Sequence, residues 1–200
     1  EAAERFGFGF VQPLSAYQAS VHHQALLDGK DAATCSSCHG AHDILPGTDR
    51  ESRVHHEKVP ALCSECHGEI GGVYAESVHG VAAAKGVRES PVCTDCHGEH
   101  RITGPGDAGS PVAASNVPTM TCGRCHSDLR VTERFGLSST VVSSFQDSFH
   151  GLANRAGSQT VANCASCHGV HDIQPSTDPR SHTHPERVSE TCGSCHPGAG

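Results

Sequence analysis

The sequence predicts a mostly irregular chain with short α-helices and no significant β-sheet, in which side chains fill only part of the interior. Three observations lead to this fold class. Only 36% of the 200 residues are hydrophobic, with six Phe, two Tyr and no Trp. The chain has 12 cysteines and 17 histidines, and the pattern of both repeats three times. Because so few apolar residues cannot offset the entropy lost on folding, bound groups must complete the interior.

All twelve cysteines occur in CxxC pairs, and each pair is followed at once by histidine. In this motif the two thiols form thioether bonds to the vinyl groups of haem, and the histidine ligates the iron from the proximal side. The sequence therefore predicts six haem c groups, attached and ligated at Cys35-Cys38-His39, Cys63-Cys66-His67, Cys93-Cys96-His97, Cys122-Cys125-His126, Cys164-Cys167-His168 and Cys192-Cys195-His196.

Three other uses of CxxC pairs were weighed: a disulfide framework, redox-active dithiols and zinc sites. Each tolerates the CxxC spacing, but none requires histidine as the next residue. Histidine makes up 17 of 200 residues, so its presence after all six pairs is far too frequent for coincidence. The haem interpretation accounts for the pattern better than the other three.

The motifs belong to a pattern that occurs three times. Each repeat opens with aromatic-x-x-Ser-x-His, continues with a first CxxCH followed by Gly-x-His, then has Asp-x-x-Ser, and closes with a second CxxCH. The first cysteines of the two motifs are 28, 29 and 28 residues apart. We predict three di-haem repeats, residues 1–73, 74–130 and 131–200, that form one continuous unit wrapped around a row of stacked haems.

Secondary structure can be placed only coarsely within a repeat. Tyr17, Ser20 and Val21 lie at helical spacing, which predicts short helices on the aromatic-x-x-Ser-x-His segments. Each CxxCH is expected on a single helical turn. Gly104–Asp107 and Pro175–Asp178 have the composition of loops.

Six irons with two axial ligands each need six distal ligands besides the proximal histidines. Two classes of histidine recur in every repeat and together number six: His22, His79 and His150 in the leading segments, and His42, His100 and His171 in Gly-x-His. We predict that these are the distal ligands. A histidine three residues after the proximal one is poorly placed to reach the far face of its own haem, so we expect the Gly-x-His class to serve the second haem of its repeat and the leading class the first. The alternative for each is a solvated surface histidine.

A third class of histidine is incomplete. His55 and His184 align, but the middle repeat has Ala113 there, so ligation from this position would leave the haem on Cys122 and Cys125 without a distal histidine. Met120 is too close to Cys122 along the chain to replace it. We expect that His55 and His184 do not ligate iron but contact haem propionates; the alternative is that they are ligands. We expect His23, His56 and His182 to lie at the surface.

The charge and the end of the chain bear on partners and location. The formal charge is −8, and the haem propionates would add further negative charge. We therefore do not expect nucleic acid as a partner, and instead expect basic patches on redox partner proteins or on neighbouring copies.

Haem attachment of this kind takes place outside the cytoplasmic membrane, so we expect an exported chain whose signal peptide has been removed. Residues 6–27 contain Pro13 and two His and are too polar to span a bilayer, so the chain is not expected to be membrane-spanning.

The motif set resembles that of the doubled-CxxCH multihaem cytochromes. It appears as Cys35–Ile44 and Cys164–Ile173, and as Thr121–His126 and Thr191–His196, while the middle repeat departs from it with Arg101-Ile102 where the others have Asp-Ile. The resemblance implies closely stacked, bis-histidine haems that pass electrons, in the periplasm or to extracellular electron acceptors such as metal oxides. Some of these cytochromes polymerise into extracellular filaments called cytochrome nanowires.

We therefore expect an electron carrier rather than an enzyme, located in an extracellular filament or at the cell surface as a homo-polymer. Residues 6–10, Phe-Gly-Phe-Gly-Phe, were considered as an apolar segment that docks on a neighbouring copy. One alternative is a soluble periplasmic electron shuttle. Another is a multihaem reductase with one open iron, which on this pattern would be the haem on Cys122.

Overall fold

The computed structural model describes residues 12–198. Within this range the chain is helical and contains no strand. The expectation of short helices without significant β-sheet is therefore confirmed for the described part of the chain. Residues 6–10, with the suggested docking segment, lie outside it.

The helices are short, and the longest, Gly68–Glu76, has nine residues. None of the helices described is long and apolar enough to cross a bilayer. In chain order the α-helices are Pro13–Gln18, Val21–Leu27, Cys35–His39, Val59–Ser64, Gly68–Glu76, Val78–Ala84, Cys93–His97, Cys122–His126, Leu129–Phe135, Val141–Asp147, Phe149–Arg155, Cys164–His168 and Val188–Gly193, with a 3₁₀ turn at His56–Lys58 and a π turn at Val117–Thr121.

Side chains provide little apolar core. Among residues 12–198, the buried hydrophobic residues are small: Ala16, Val59, Val92, Ala113 and Val117. Buried serine, threonine and asparagine outnumber them, and many large apolar side chains lie at the surface. Burial of apolar side chains is the main stabilising contribution in most domains. The described part of this polypeptide buries too few apolar side chains to gain much stability in this way.

The aromatic-x-x-Ser-x-His segment is two helices rather than one. The aromatic residue lies in the first helix and the histidine in the second, because the serine between them is extended and caps the second helix. The serine oxygen accepts a hydrogen bond from the backbone N–H three residues later in every repeat: Ser20 from His23 at 3.2 Å, Ser77 from Gly80 at 3.0 Å and Ser148 from Gly151 at 3.2 Å. The prediction of one helix through Tyr17 and Val21 is wrong in this respect.

The first CxxCH of each repeat is a five-residue helix, as expected. It ends at a glycine in the left-handed region, which side-chain-bearing residues rarely adopt. The φ angles are 77° at Gly40, 80° at Gly98 and 83° at Gly169. This turn directs the following Gly-x-His segment away from the helix that carries the proximal histidine.

The change Gly169→Ala is expected to lower the free energy of unfolding by about 1–3 kcal/mol. The added Cβ would need a left-handed backbone and would collide with the Asp172 carboxylate. Denaturant unfolding measures the effect, with Gly68→Ala as the control, since Gly68 begins a helix and has open space around it. Equal stability of the two variants would contradict this account of the turn.

The Asp-x-x-Ser element closes a loop in each repeat. The serine hydroxyl donates to the carbonyl seven residues earlier: Ser52 to Leu45 at 3.1 Å, Ser110 to Thr103 at 2.9 Å and Ser181 to Gln174 at 3.2 Å. The aspartate carboxylate accepts from the backbone N–H two residues later: Asp49 from Glu51, Asp107 from Gly109 and Asp178 from Arg180. The same loop geometry thus recurs three times and returns the chain toward its second CxxCH.

Candidate cofactor site

Five pairs of imidazole rings face each other across the described structure. Their ring centres are 5.9–6.3 Å apart. Each pair joins one histidine that directly follows CxxC with one histidine of the two recurring classes. The pairs are His22–His67, His39–His100, His79–His126, His97–His171 and His150–His196.

This separation fits a metal between two imidazoles. A metal–imidazole nitrogen bond is about 2 Å long, so two rings that ligate one ion from opposite sides have centres about 6 Å apart once each ring's half-width is added. Aromatic rings packed directly together also reach such distances. These five pairs differ from chance ring contacts because each one joins a histidine that directly follows CxxC with a histidine of a leading segment or of Gly-x-His.

The leading histidines face the second motif of their own repeat. His22 lies 6.1 Å from His67, His79 lies 6.3 Å from His126, and His150 lies 6.0 Å from His196. We expected them to serve the first motif, which is nearer along the chain, whereas in the structure they lie against the second. The loop closed by Asp-x-x-Ser brings the second motif back to the leading helix.

The Gly-x-His histidines face the first motif of the preceding repeat. His100 stacks near His39 at 5.9 Å and 9°, and His171 near His97 at 6.0 Å and 16°. We expected them to serve the second motif of their own repeat, whereas in the structure they lie against the first motif of the preceding one. The left-handed glycine turns this segment outward, where it contacts the neighbouring repeat.

A backbone hydrogen bond holds each of these segments on the preceding repeat. The N–H of Val21, the first residue of a leading helix, donates to the carbonyl of Ile102 at 2.8 Å. The N–H of Val78 donates in the same way to Ile173 at 2.8 Å. Each isoleucine follows its Gly-x-His histidine by two residues, so the bond places that histidine against the preceding repeat. The isoleucine recurs in the sequence of every repeat, but its spacing does not indicate that its carbonyl accepts a hydrogen bond from a leading helix.

The aromatic residue of the leading segment positions the first motif. The hydroxyl of Tyr17 donates to the carbonyl of Ala33, and that of Tyr74 to the carbonyl of Pro91, both at 2.8 Å. Each acceptor lies two residues before the first cysteine of a motif. Phe145 of the third repeat has no hydroxyl to make this bond.

Two of the twelve predicted iron ligands have no ring partner in the described structure. They are His42, from Gly-x-His of the first repeat, and His168, from the first motif of the third repeat. Both are exposed, whereas their counterparts His100 and His171, and His39 and His97, are half-buried. The chain therefore brings together ten of the predicted ligands. The other two are a Gly-x-His histidine in the first repeat and a motif histidine in the third.

The remaining histidines lie outside these pairs. His55 is buried and makes no ring pair with a motif histidine within residues 12–198. His56 bonds Asp95 at 3.1 Å, and His182 bonds Asp172 at 2.8 Å. His184 accepts a hydrogen bond from the backbone N–H of Glu186 through its Nδ1.

Four of the paired imidazoles have a lowered pKa, which favours the neutral form that ligates metals. Burial lowers the pKa of His79 to about 4, with a smaller contribution from His126. Burial also lowers the pKa of His22, His97 and His126 below the ordinary histidine value.

None of the twelve cysteines forms a disulfide. Thiols of consecutive repeats lie near each other, because the helix that carries Cys63 packs against the helix that carries Cys93, and the turn before Cys122 packs against the helix that carries Cys164. This contact lowers the pKa of Cys93 and of Cys164 to about 7 and raises that of the partner thiol.

Within each repeat, the two motifs are also neighbours. Burial raises the pKa of Cys38, Cys96 and Cys167, and the nearby thiols Cys66, Cys125 and Cys192 raise it further. Together with the contacts between repeats, these effects place the six motifs next to one another in chain order.

Within residues 12–198 no group of three or more His, Cys, Asp or Glu side chains is arranged to hold a bare metal ion. The recurring arrangement is instead a pair of opposed imidazoles beside two thiols. Comparison of the chain with protein-family models, curated proteins and solved structures found no match.

Proposed function

We propose that this chain is a hexahaem c-type cytochrome that carries electrons along six closely stacked haems. The observation that carries the proposal is the set of five imidazole pairs at 5.9–6.3 Å, each with one ring directly after a CxxC. In this architecture three di-haem repeats wrap around a row of haems, and the haems supply the apolar core that the side chains lack.

The haems are numbered 1 to 6 in the order of their CxxCH motifs. Haems 2, 4 and 6 would be held within one repeat, by the pairs His22–His67, His79–His126 and His150–His196. Haems 1 and 3 would be held between two repeats, by His39–His100 and His97–His171. The proximity of thiols from successive motifs supports a row that would run from haem 1 to haem 6.

A haem with two imidazole ligands supplies a one-electron couple and has no open coordination position. The role of the protein is then positional. The two cysteines of each motif would attach a haem, and the paired imidazoles would hold its iron. Asp95, which bonds His56 and lies 3.8 Å from Arg124, ties the first repeat to both motifs of the second.

The chain acts outside the cytoplasmic membrane, in extracellular electron transfer. Its partners are redox proteins or extracellular electron acceptors. The formal charge of −8 and the haem propionates favour partners with basic surfaces. A periplasmic shuttle is the alternative, and it uses the same haems.

A multihaem reductase is the second candidate, because one motif histidine has no partner. Such an enzyme keeps one iron open for substrate. We expected the open iron at haem 4, but His126 faces His79 at 6.3 Å, so haem 4 has two candidate ligands. The unpartnered histidine is His168, which moves the candidate open iron to haem 5.

Mass spectrometry of the denatured protein tests the proposal, and we expect the mass of the polypeptide plus six covalent haems. A thiol titration under the same conditions should find no free thiol, because all twelve sulfurs are thioethers. A chain with no added mass and twelve titratable thiols, before or after reduction, would refute the haem assignment.

The reductase alternative is tested by adding CO to the reduced, assembled protein. A spectrum unchanged by CO removes it, because an open ferrous haem binds CO and a bis-imidazole haem does not. Turnover of nitrite, sulfite or tetrathionate by a CO-binding protein would favour it.

A further inference from the structure

We propose that the carboxylate of Asp95 makes haem 3 harder to reduce and that the guanidinium of Arg124 makes haem 4 easier to reduce, so that electrons pass downhill from haem 3 to haem 4. Each side chain lies between the two cysteines of a CxxCH motif, Asp95 in the motif of haem 3 and Arg124 in that of haem 4. This inference rests on the proposed function and extends it by giving one step of the haem row a direction.

The residues between the two cysteines differ in charge among the six motifs. In chain order they are Ser36-Ser37, Ser64-Glu65, Thr94-Asp95, Gly123-Arg124, Ala165-Ser166 and Gly193-Ser194. The motifs of haems 2, 3 and 4 therefore carry a charged side chain there, and those of haems 1, 5 and 6 carry none. Because both thiols of a motif would attach to one haem, a charge between them acts on that haem more strongly than on the others.

The helical turn of the motif does not need the charge of Asp95. Its Oδ2 accepts a hydrogen bond from the backbone N–H of Val92 at 2.7 Å. In the motifs of haems 1 and 5 a serine hydroxyl at the same position accepts the same bond: Ser37 from Thr34 at 3.0 Å and Ser166 from Asn163 at 3.1 Å. A neutral hydroxyl thus makes the same cap, so the carboxylate adds a charge to a turn that forms without one.

Two further contacts hold the Asp95 carboxylate in one place. Its Oδ2 also accepts from Nε2 of His56 at 3.1 Å, since an ionised carboxylate has no hydrogen to donate. Its Oδ1 lies 3.8 Å from the guanidinium of Arg124. The side chain is only 31% exposed, so solvent and salt screen its charge less than that of a free surface carboxylate. The negative charge therefore stays beside the motif of haem 3.

Arg124 does not cancel this charge at haem 3, because it belongs to another motif. It directly precedes Cys125, which would attach haem 4. The pair therefore separates charge between two haems, with its negative end in the motif of haem 3 and its positive end in that of haem 4. Reduction adds one negative charge to a haem, so the negative end opposes the reduction of haem 3 and the positive end favours that of haem 4.

Glu65, in the motif of haem 2, is arranged differently. Both of its carboxylate oxygens accept from the guanidinium of Arg53 at 3.3 Å, and its side chain is 61% exposed. The same guanidinium donates to the carbonyl of Ser37, in the motif of haem 1, at 3.4 Å. Arg53 lies between two motifs and belongs to neither, so this pair separates little charge between haems 1 and 2.

The change Asp95→Ser, in the full haem-bearing chain, tests the proposal. Serine can make the cap that Ser37 and Ser166 make, and the charge is lost. We expect the equilibrium constant for reduction of haem 3 to rise about three- to tenfold, which for a one-electron couple is an increase in potential of about 30–60 mV. A redox titration followed by visible absorption and EPR measures the shift.

The ring angles give EPR a means of assigning the component that shifts. The EPR spectrum of a bis-imidazole haem depends on the angle between its two rings. This angle is 9° for haem 1 and 16° for haem 3, against 42–60° for haems 2, 4 and 6. The shifted component in Asp95→Ser should therefore have the spectrum of nearly parallel rings.

Three further variants test the sign of the effect. Arg124→Gln should lower the potential of haem 4, with a fold-change similar to that of Asp95→Ser in the opposite direction. Ser166→Asp places a carboxylate in the motif of haem 5 and should lower the potential of that haem. The control is Asp28→Asn, which removes the same charge from an exposed residue outside the motifs that pairs with Lys30; it should leave all potentials unchanged.

The outcomes separate this inference from the proposed function. Asp95→Asn keeps the shape of the side chain, and Ser166→Asp leaves Asp95 untouched, so both decide the question if the serine variant does not fold. Six covalent low-spin haems with unchanged potentials in these variants would overturn the inference and leave the electron-transfer assignment in place. A shift accompanied by loss of the low-spin signal would also overturn it, because altered ligation would then be the cause. A chain without covalent haem would defeat both.

Discussion

A chain made without haem attachment is expected to be unfolded where the haem-bearing protein is fully folded. The buried hydrophobic residues among residues 12–198 are three valines and two alanines. Their burial contributes about 1.5–3 kcal/mol for each valine and less for each alanine, far below the entropy cost of ordering a domain of this length. On the proposed function, the haems supply the largest share of the stabilising burial, as the metal does in small metal-nucleated folds.

The measurement is far-UV circular dichroism with limited proteolysis, on chain expressed with and without haem-attachment machinery. We expect the apo chain to lose most helical signal and to be cut throughout, under reducing conditions that exclude disulfides. A graded control is Cys192→Ser with Cys195→Ser, which removes only the terminal haem and should leave the first two repeats resistant. A helical, protease-resistant apo chain would show that the side chains suffice.

The change His79→Ala is expected to have the largest effect of any single ligand substitution. His79 is half-buried and faces His126 at 6.3 Å, and burial lowers its pKa to about 4, so it is a neutral imidazole. Its loss leaves haem 4 with one ligand in the middle of the row. The cavity alone costs about 2–5 kcal/mol, and the lost iron bond adds to this cost.

We expect one high-spin haem, CO binding at that haem, a lower unfolding midpoint and slower electron passage between the two ends of the row. EPR, CO difference spectra and denaturant unfolding measure the first three. His79→Met is the informative companion, since a thioether can restore six-coordination with a raised potential. The control is His56→Ala, which loses a bond to Asp95 but no ring pair. An unchanged low-spin EPR signal in His79→Ala would remove His79 from the ligands.

The motif residues themselves could be predicted from sequence because their chemistry is local. Two thiols and an imidazole within five residues already define an attachment site, whatever the surrounding fold. The lack of strands was also predictable, since nothing in the chain alternates over the length of a strand. Turn chemistry was only partly predictable: the Asp-x-x-Ser loops were visible as a pattern, but the helical spacing of Tyr17, Ser20 and Val21 did not indicate that Ser20 caps a new helix.

The pairing of the histidines depended on tertiary structure. Along the chain His22 is closer to His39 than to His67, and His100 follows His97, yet His22 faces His67 and His100 faces His39. The sequence likewise directed attention to haem 4 for an open iron, through Ala113, whereas the candidate ligand without a ring partner among residues 12–198 is His168. The sequence by itself determined which residues are the candidate haem ligands. Their partners were decided by the left-handed turn after each first motif and by the Val21–Ile102 and Val78–Ile173 bonds, because such contacts between repeats depend on packing and leave no spacing in the chain.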